Sequence, residues 1–254
     1  MNAKRVVIVT GAARGIGQAI AGAFGDSGDT VVLVDRDPDA LHSTASALEQ
    51  GGADVMARIV DVTRSTDIDR LMSDVIEERG RIDVLVNNAG KNTYFDAVTM
   101  TEDDWDSAMD VDLKSVWLMA RAALPSLIES RGSIVNVSSI HARLTTPGMF
   151  PYAAAKSGVE GLTRSLAADY ASAGVRVNAV APGWTQTRLV DEWAARSDDP
   201  DALSKVLRAH PLQRIATPED VAAAVEFLAS PGARAITGAV LPVDCGLSIT
   251  FRVD

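Results

Sequence analysis

Tyr152 and Lys156 are separated by three alanines, in Pro151-Tyr152-Ala153-Ala154-Ala155-Lys156. The alanine run is a strong helix former, and a proline is tolerated in a first turn. Residues four apart share one helix face, with about 5–6 Å between their Cβ atoms. A phenol and an ammonium can therefore address one point in space. A neighbouring positive charge favours the phenolate and lowers a tyrosine pKa, which makes the phenol a usable general acid or base. An incidental pair on a surface helix has the same spacing, so the pair alone does not decide.

A second group stands near the N-terminus. Thr10-Gly11-Ala12-Ala13-Arg14-Gly15-Ile16-Gly17 follows a Val/Ile-rich run and precedes a helical stretch. Glycines allow a tight turn and close approach of a pyrophosphate to backbone, and the helix N-terminus supplies N–H donors. These glycines are spaced four and then two apart, whereas the common dinucleotide fingerprint has about two and then three. By themselves they also fit an ordinary strand–helix turn. Asp35 lies 18 residues after Gly17. A carboxylate there accepts hydrogen bonds from adenosine ribose hydroxyls and repels a 2′-phosphate, which favours NAD over NADP. Arg14 and Arg36 are the groups that would meet a 2′-phosphate instead.

Short apolar runs recur at Arg5–Thr10, Thr30–Asp35, Val55–Val60, Ile82–Asn87, Ser133–Val137, Val175–Ala181 and Gly238–Val243. Continuous runs of this kind suit strands buried on both faces. Helical composition fills 15–27, 38–50, 64–79, 103–129, 152–172 and 217–229. This alternation predicts an α/β fold, a doubly wound parallel sheet of about seven strands in one domain over 1–254. Residues 183–216 interrupt it. They are mixed in character, with Trp184, Trp193 and a polar Arg196–Asp201 segment, and an insertion there is expected to be a helical lid.

Composition narrows the function classes. The 254 residues are 47% hydrophobic and carry 34 acidic against 24 basic side chains, a net charge of −10. That balance argues against nucleic acid or an anionic membrane as partner. The single cysteine, Cys245, forms no intrachain disulfide, no apolar run approaches a membrane span, and the first apolar stretch is too short for a signal peptide. A cytoplasmic protein is expected, with no metal site.

Taken together these motifs resemble the short-chain dehydrogenase/reductase family, over Lys4 to about Leu247. The resemblance rests on Thr10–Gly17, Asp61-Val62, Asn87-Asn88-Ala89-Gly90, Ser139, Tyr152-x-x-x-Lys156 and Pro182-Gly183, in the family's order. It implies a Rossmann-type fold and an NAD(P)-dependent alcohol dehydrogenase or ketoreductase, with NAD expected. By that resemblance Tyr152 exchanges the proton with the substrate oxygen. Lys156 lowers the phenol pKa and holds the nicotinamide ribose. Ser139, 13 residues before Tyr152, would hydrogen-bond the reacting oxygen, a charge-stabilising role. Gly11, Gly15, Ile16 and Gly17 would hold the pyrophosphate side and Asp35 the adenosine ribose, with Arg14 and Arg36 beside them as cofactor contacts. Asp61 and Val62 would border adenine, and Asn88, Ala89 and Gly90 would line the ribose side. Pro182, Gly183, Thr185 and Thr187 would bound the nicotinamide. The resemblance also implies a homo-oligomer, a tetramer paired through helices 103–129 and 152–172.

Asp112, in Val111-Asp112-Leu113, stands where the family usually has Asn. That Asn serves a proton relay to the lysine. An aspartate can accept there, cannot donate unless protonated, and favours the ammonium form of Lys156. An altered pH profile is expected, with a purely structural role for Asp112 equally open. Candidates for substrate contact are Asn92, Thr93, His141, Arg143, Met149 and Trp184. His141 can hydrogen-bond a polyol or simply pack in its loop, and Trp184 can stack on a sugar face or anchor the lid. This set predicts a sugar, sugar acid or small polyol. The runner-up is an NADP-dependent 3-oxoacyl-thioester (acyl-carrier-protein type) reductase. A non-catalytic dinucleotide-binding redox sensor is the remote third reading.

Overall fold

A computed structural model describes residues 4–197 and 199–250. Strand and helix alternate as β1 (Val6–Thr10), α1 (Gly15–Asp26), β2 (Thr30–Asp35), α2 (Pro38–Gln50), β3 (Asp54–Ile59), α3 (Ser65–Arg79) and β4 (Val84–Asn87). The second half adds α4 (Glu102–Met109), α5 (Ser115–Ser130), β5 (Ser133–Val137), α6 (Tyr152–Tyr170), β6 (Arg176–Pro182), α7 (Arg188–Arg196), α8 (Ala202–Ala209), α9 (Pro218–Ala229) and β7 (Val240–Val243). Among the described residues one seven-stranded sheet forms, in the order β3-β2-β1-β4-β5-β6-β7. Every pairing is parallel.

Side chains of a strand alternate between faces. Val7 and Val9 enter one core with Ile20 and Phe24 of α1 and Val221 and Val225 of α9. Val6 and Ile8 enter the other, with Ile68 and Leu71 of α3, Leu118 of α5 and Leu166 of α6. The sheet is therefore covered on both sides, as its continuous apolar runs demand. Chain order reverses between β1 and β4, and a crevice opens at the carboxyl ends of strands at such a switch.

The expected helix over 103–129 is in fact three pieces. Thr101 caps α4 in a reciprocal capping box with Asp104. A π-helical turn over Asp110–Lys114 then leads into α5. One extra residue per turn rotates the following face, and such turns cluster at functional sites. The apolar pattern runs through this junction without a break, so it left no mark in the periodicity. The insertion after β6 is helical, as α7 and α8, and Asp198 of its polar segment lies outside the described residues.

A buried polar chain fastens α6 to the sheet. Asn87 Nδ2 of β4 donates to Asn136 Oδ1 of β5 at 2.9 Å, and Asn136 Nδ2 donates to Thr163 Oγ1 of α6 at 2.9 Å. Thr163 Oγ1 in turn donates to Val159 O at 2.8 Å. Asn136→Ala leaves both neighbours short of a partner. It should cost about 1–3 kcal/mol of stability, read as a lower midpoint of urea unfolding, and an unchanged midpoint would show that α6 is held otherwise.

Candidate functional site

The crevice is built first by glycine. A Cβ on Gly17 would lie 2.0 Å from Gly11 O, so the first turn of α1 rests directly on the backbone that leaves β1. No other residue fits that approach. Thr10 holds the opposite wall. Its Oγ1 accepts from Asn88 N at 2.9 Å and Ala89 N at 3.0 Å, while Asn88 Nδ2 donates to Thr10 O and Gly11 O at 3.0 and 3.1 Å. The glycine turn after β1 and the Asn87–Gly90 turn after β4 are thereby brought together. Thr187 lies over them, its Cγ2 3.7 Å from where a Gly15 Cβ would stand. Thr185 is buried and pairs in a bridge with Ala216, and Pro182 ends β6 beside Gly183.

Asp35 closes β2. Its Oδ2 accepts from Ala13 N and its Oδ1 from Asp37 N, both at 3.1 Å. Arg14 forms an ion pair with Asp37. The Ala40 N–H and then Arg14 hold the Asp37 carboxyl below the ordinary carboxylate range. Arg36 is exposed. Val62 is buried in the core. Burial pushes the Asp61 carboxyl up, but the Thr63 N–H and hydroxyl, with Arg36 and Arg64, bring it below its usual value. The cradle of bare backbone, carboxylate and helix N-terminus fits a dinucleotide.

Tyr152 opens α6, and Pro151 occupies the cap position just before it. Lys156 follows one turn later, with Nζ 5.4 Å from the Tyr152 ring centre. The Ser139 hydroxyl accepts from His141 N at 3.2 Å and lies close enough to the phenol to favour its charged form. Phenol, hydroxyl and ammonium thus meet at one point, at the carboxyl ends of β4 and β5. Lys156 Nζ donates to Val137 O at 3.2 Å and faces Asp112 Oδ1 at 3.8 Å. Asp112 is 0% exposed. Its Oδ1 accepts from Lys91 N at 2.9 Å, and its Oδ2 is buried with no partner. Gly90 makes this approach possible, because a Cβ there would stand 2.8 Å from Asp112 Oδ1 and 3.3 Å from Lys156 Nζ.

The electrostatics reverse one expectation. Burial, and then the Asp112 carboxylate, push the Tyr152 phenol above the ordinary tyrosine range, against the lowering hydrogen bond from Ser139. Burial pushes the Lys156 ammonium down while Asp112 pulls it up. Burial pushes the Asp112 carboxyl up, opposed by Lys156. The Lys156 ammonium is turned to Asp112 and the Val137 carbonyl, and burial with the Asp112 carboxylate sets the net direction of the phenol.

The substrate candidates divide. His141 stands edge-on to Tyr152 with ring centres 5.8 Å apart, its Nδ1 3.1 Å from Thr145 Oγ1, and burial lowers its pKa. Asn92 Nδ2 donates to Tyr94 Oη at 3.1 Å. Met149 is buried, as is Thr93, whose hydroxyl has no partner. Arg143 reaches away to Glu160 Oε2 of α6 at 3.4 Å. Trp184 packs on Trp193 of α7, ring centres 4.7 Å apart, which ties down the insertion. A recess of about 470 Å³ lies alongside, lined by Tyr94, Phe95, Asp96, Ala97, Gly148 and Phe150. Its aromatic rim was not among the sequence candidates. Thr10 and Tyr94 were also missed as site residues, though both stand in or beside the motifs that were singled out.

A family model described as enoyl-(acyl carrier protein) reductase matches residues 11–248. A 3-oxoacyl-[acyl-carrier-protein] reductase of Thermotoga maritima is 39% identical, over 96% of this chain and 98% of its own. A meso-2,3-butanediol dehydrogenase of Serratia marcescens is 38% identical, over 95% and 94%. A crystal structure from Burkholderia xenovorans, described as a short-chain dehydrogenase/reductase, superposes with a TM-score of 0.92 at 35% identity, covering 98% of both chains.

Replacing Asp112 by Asn removes a negative charge that disfavours both the phenolate and the neutral amine, so protons should leave Tyr152 and Lys156 at lower pH. At a fixed alkaline pH that preserves the fold, Asp112→Asn should show more phenolate absorbance than the parent. Adding Tyr152→Phe should erase the gain. Equal absorbance in parent and Asp112→Asn would contradict the assigned coupling.

Proposed function

The chain belongs to the short-chain dehydrogenase/reductase family, whose members move hydride between a nicotinamide dinucleotide and an alcohol or carbonyl, and from that premise we propose that it oxidises a sugar, sugar acid or other small polyol with NAD. The observation that carries the reading is the meeting of the Tyr152 phenol, the Ser139 hydroxyl and the Lys156 ammonium beside the β1–β4 crevice. When bound, a nicotinamide dinucleotide would supply the hydride acceptor and a cationic ring.

The chain's own part is proton transfer and positioning. The substrate hydroxyl would lie between Ser139 and Tyr152, and Tyr152, acting as the phenolate after it has given up its own proton, would take the hydroxyl proton as the carbinol hydrogen leaves as hydride. Ser139 donates to the oxygen throughout and stabilises the charge that develops on it. Lys156, held as the ammonium by Asp112 and the Val137 carbonyl, is the cation nearest the phenol and holds the nicotinamide ribose. Pro182, Gly183, Thr185 and Thr187 would bound the nicotinamide, and Gly11, Gly15, Ile16 and Gly17 the pyrophosphate. In the reductive direction the same phenol returns the proton.

NAD is favoured by where the charges stand. The Asp35 carboxylate lies at the end of β2 beside the turn, Arg14 is committed to Asp37, and the charge of Arg36 acts on the Asp61 carboxyl. A small polyol suits His141 beside Tyr152. The second reading is an NADP-dependent 3-oxoacyl-thioester reductase. It is favoured by the aromatic recess and by the Thermotoga maritima relative. Apolar surface on Trp105 of α4 and on Trp117 and Ile128 of α5 supports a homo-oligomer.

Tyr152→Phe should lower kcat by about 10²–10⁴-fold while leaving dinucleotide affinity in place, measured by steady-state assay on a panel of polyols and by titration of the cofactor. Retained turnover would remove Tyr152 from proton transfer. The parent should favour NAD over NADP by more than about tenfold in kcat/KM, and Asp35→Ala should narrow the gap. A preference for NADP, with turnover of a 3-oxoacyl thioester and none of any polyol, would establish the second reading instead.

A further inference from the structure

A second concave site lies at the opposite edge of the sheet, where the strands begin. Its volume is about 570 Å³, and it is lined by Arg5, Arg131, Arg176 and Arg234. Asp83 is the one carboxylate among its lining residues. In a chain of net charge −10, four arginines converging on one cleft call for a physical account.

Two of the four are structural. Arg5 donates from Nε and Nη2 to the Asp29 carboxylate at 3.0 and 2.5 Å, which neutralises it. Arg176 donates to Leu228 O at 2.6 Å and Ser230 O at 3.2 Å, closing the end of α9. Its partners are carbonyls, so its full charge is left to the cleft. Asp83 compensates little. Both its oxygens are taken by Arg81, and Oδ2 also accepts from Val6 N at 2.8 Å.

The other two are free. The side chains of Arg131 and Arg234 make no hydrogen bond or ion pair among the described residues. Arg131 stands just after α5 in the left-handed region, at φ 50°. Glycine or asparagine is the usual occupant of such a position, and an arginine there carries backbone strain that its side chain must justify. Its stem is seated against Gly174, where an added Cβ would stand 3.1 Å from Arg131 Cγ. The exposed guanidinium extends from that seated stem at the rim of the cleft.

Guanidinium groups match the oxygens of phosphates with two parallel donors. Three arginine charges without a carboxylate, in a cleft much larger than one phosphate, match a ligand with several charges close together. We propose that the cleft bounded by Arg131, Arg176 and Arg234 binds a small molecule that carries a pyrophosphate or two phosphate groups, at a site separate from the dinucleotide crevice.

The test is calorimetric titration of inorganic pyrophosphate into the full-length protein, with and without excess NAD, beside citrate as a polycarboxylate probe. Arg131→Gly suits its backbone angle and removes the side chain, and Arg234→Ala removes the second guanidinium. Pyrophosphate should bind equally well with NAD present, and at least about tenfold more weakly in the double variant. Polyol oxidation should be unchanged in that variant, which keeps the crevice intact. Loss of the binding when NAD is added would place the anion in the crevice and overturn the proposal. Equal affinity in the double variant, no binding in the parent, or tighter binding of citrate than of pyrophosphate would overturn it as well.

Discussion

A lysine ammonium buried at 4% exposure is tolerable only if its charge is met on the spot, because burial penalises the charged form. Lys156 is met by Asp112 and the Val137 carbonyl. The pair in turn constrains its surroundings. Gly90 must carry no side chain, the Lys91 N–H must reach Asp112, and the helix bearing Asp112 must present it at the right height. The π-helical turn over Asp110–Lys114 supplies that height. A buried ion pair of this kind is weak evidence for stability, and it is better read as a device that fixes charge where a proton has to move.

The rest of the fold serves to hold three loops against that pair. The Asn87–Asn136–Thr163 chain fixes α6 to β4 and β5, and so fixes the height of Tyr152 and Lys156 above the crevice. Thr10 ties the turn after β1 to the turn after β4. The contact of α1 with the backbone at Gly11 holds the first turn of that helix against the crevice. The relatives named above include a reductase and a dehydrogenase. The recess of this chain is rimmed by Tyr94, Phe95 and Phe150.

Much of this was legible in the residues. The strands over Thr30–Asp35 and Ser133–Val137 and the helix over 38–50 appear with the boundaries that the apolar runs and caps imply. Tyr152 and Lys156 share a face because helical spacing is rigid. Burial was not legible, and burial decides the sign of the phenol's shift. The π-helical turn was hidden because it keeps the apolar pattern intact while changing the angle. The sequence places Arg143 near Ser139 but does not show that its guanidinium spans to Glu160 on α6. Tyr94 was missed because an exposed tyrosine in a loop carries no period. The two free arginines of the lower cleft lie far apart in sequence, at 131 and 234, and only the fold brings them to one edge.

The central claim is that Asp112 keeps Lys156 in its charged form beside the phenol. Nitrogen-15 NMR of the Lys156 side chain, titrated in the parent and in Asp112→Asn, measures that charge directly. The account predicts an ammonium at neutral pH in the parent and loss of the proton at lower pH in the variant. A neutral amine in the parent at neutral pH, or a titration that Asp112→Asn leaves unmoved, would contradict it.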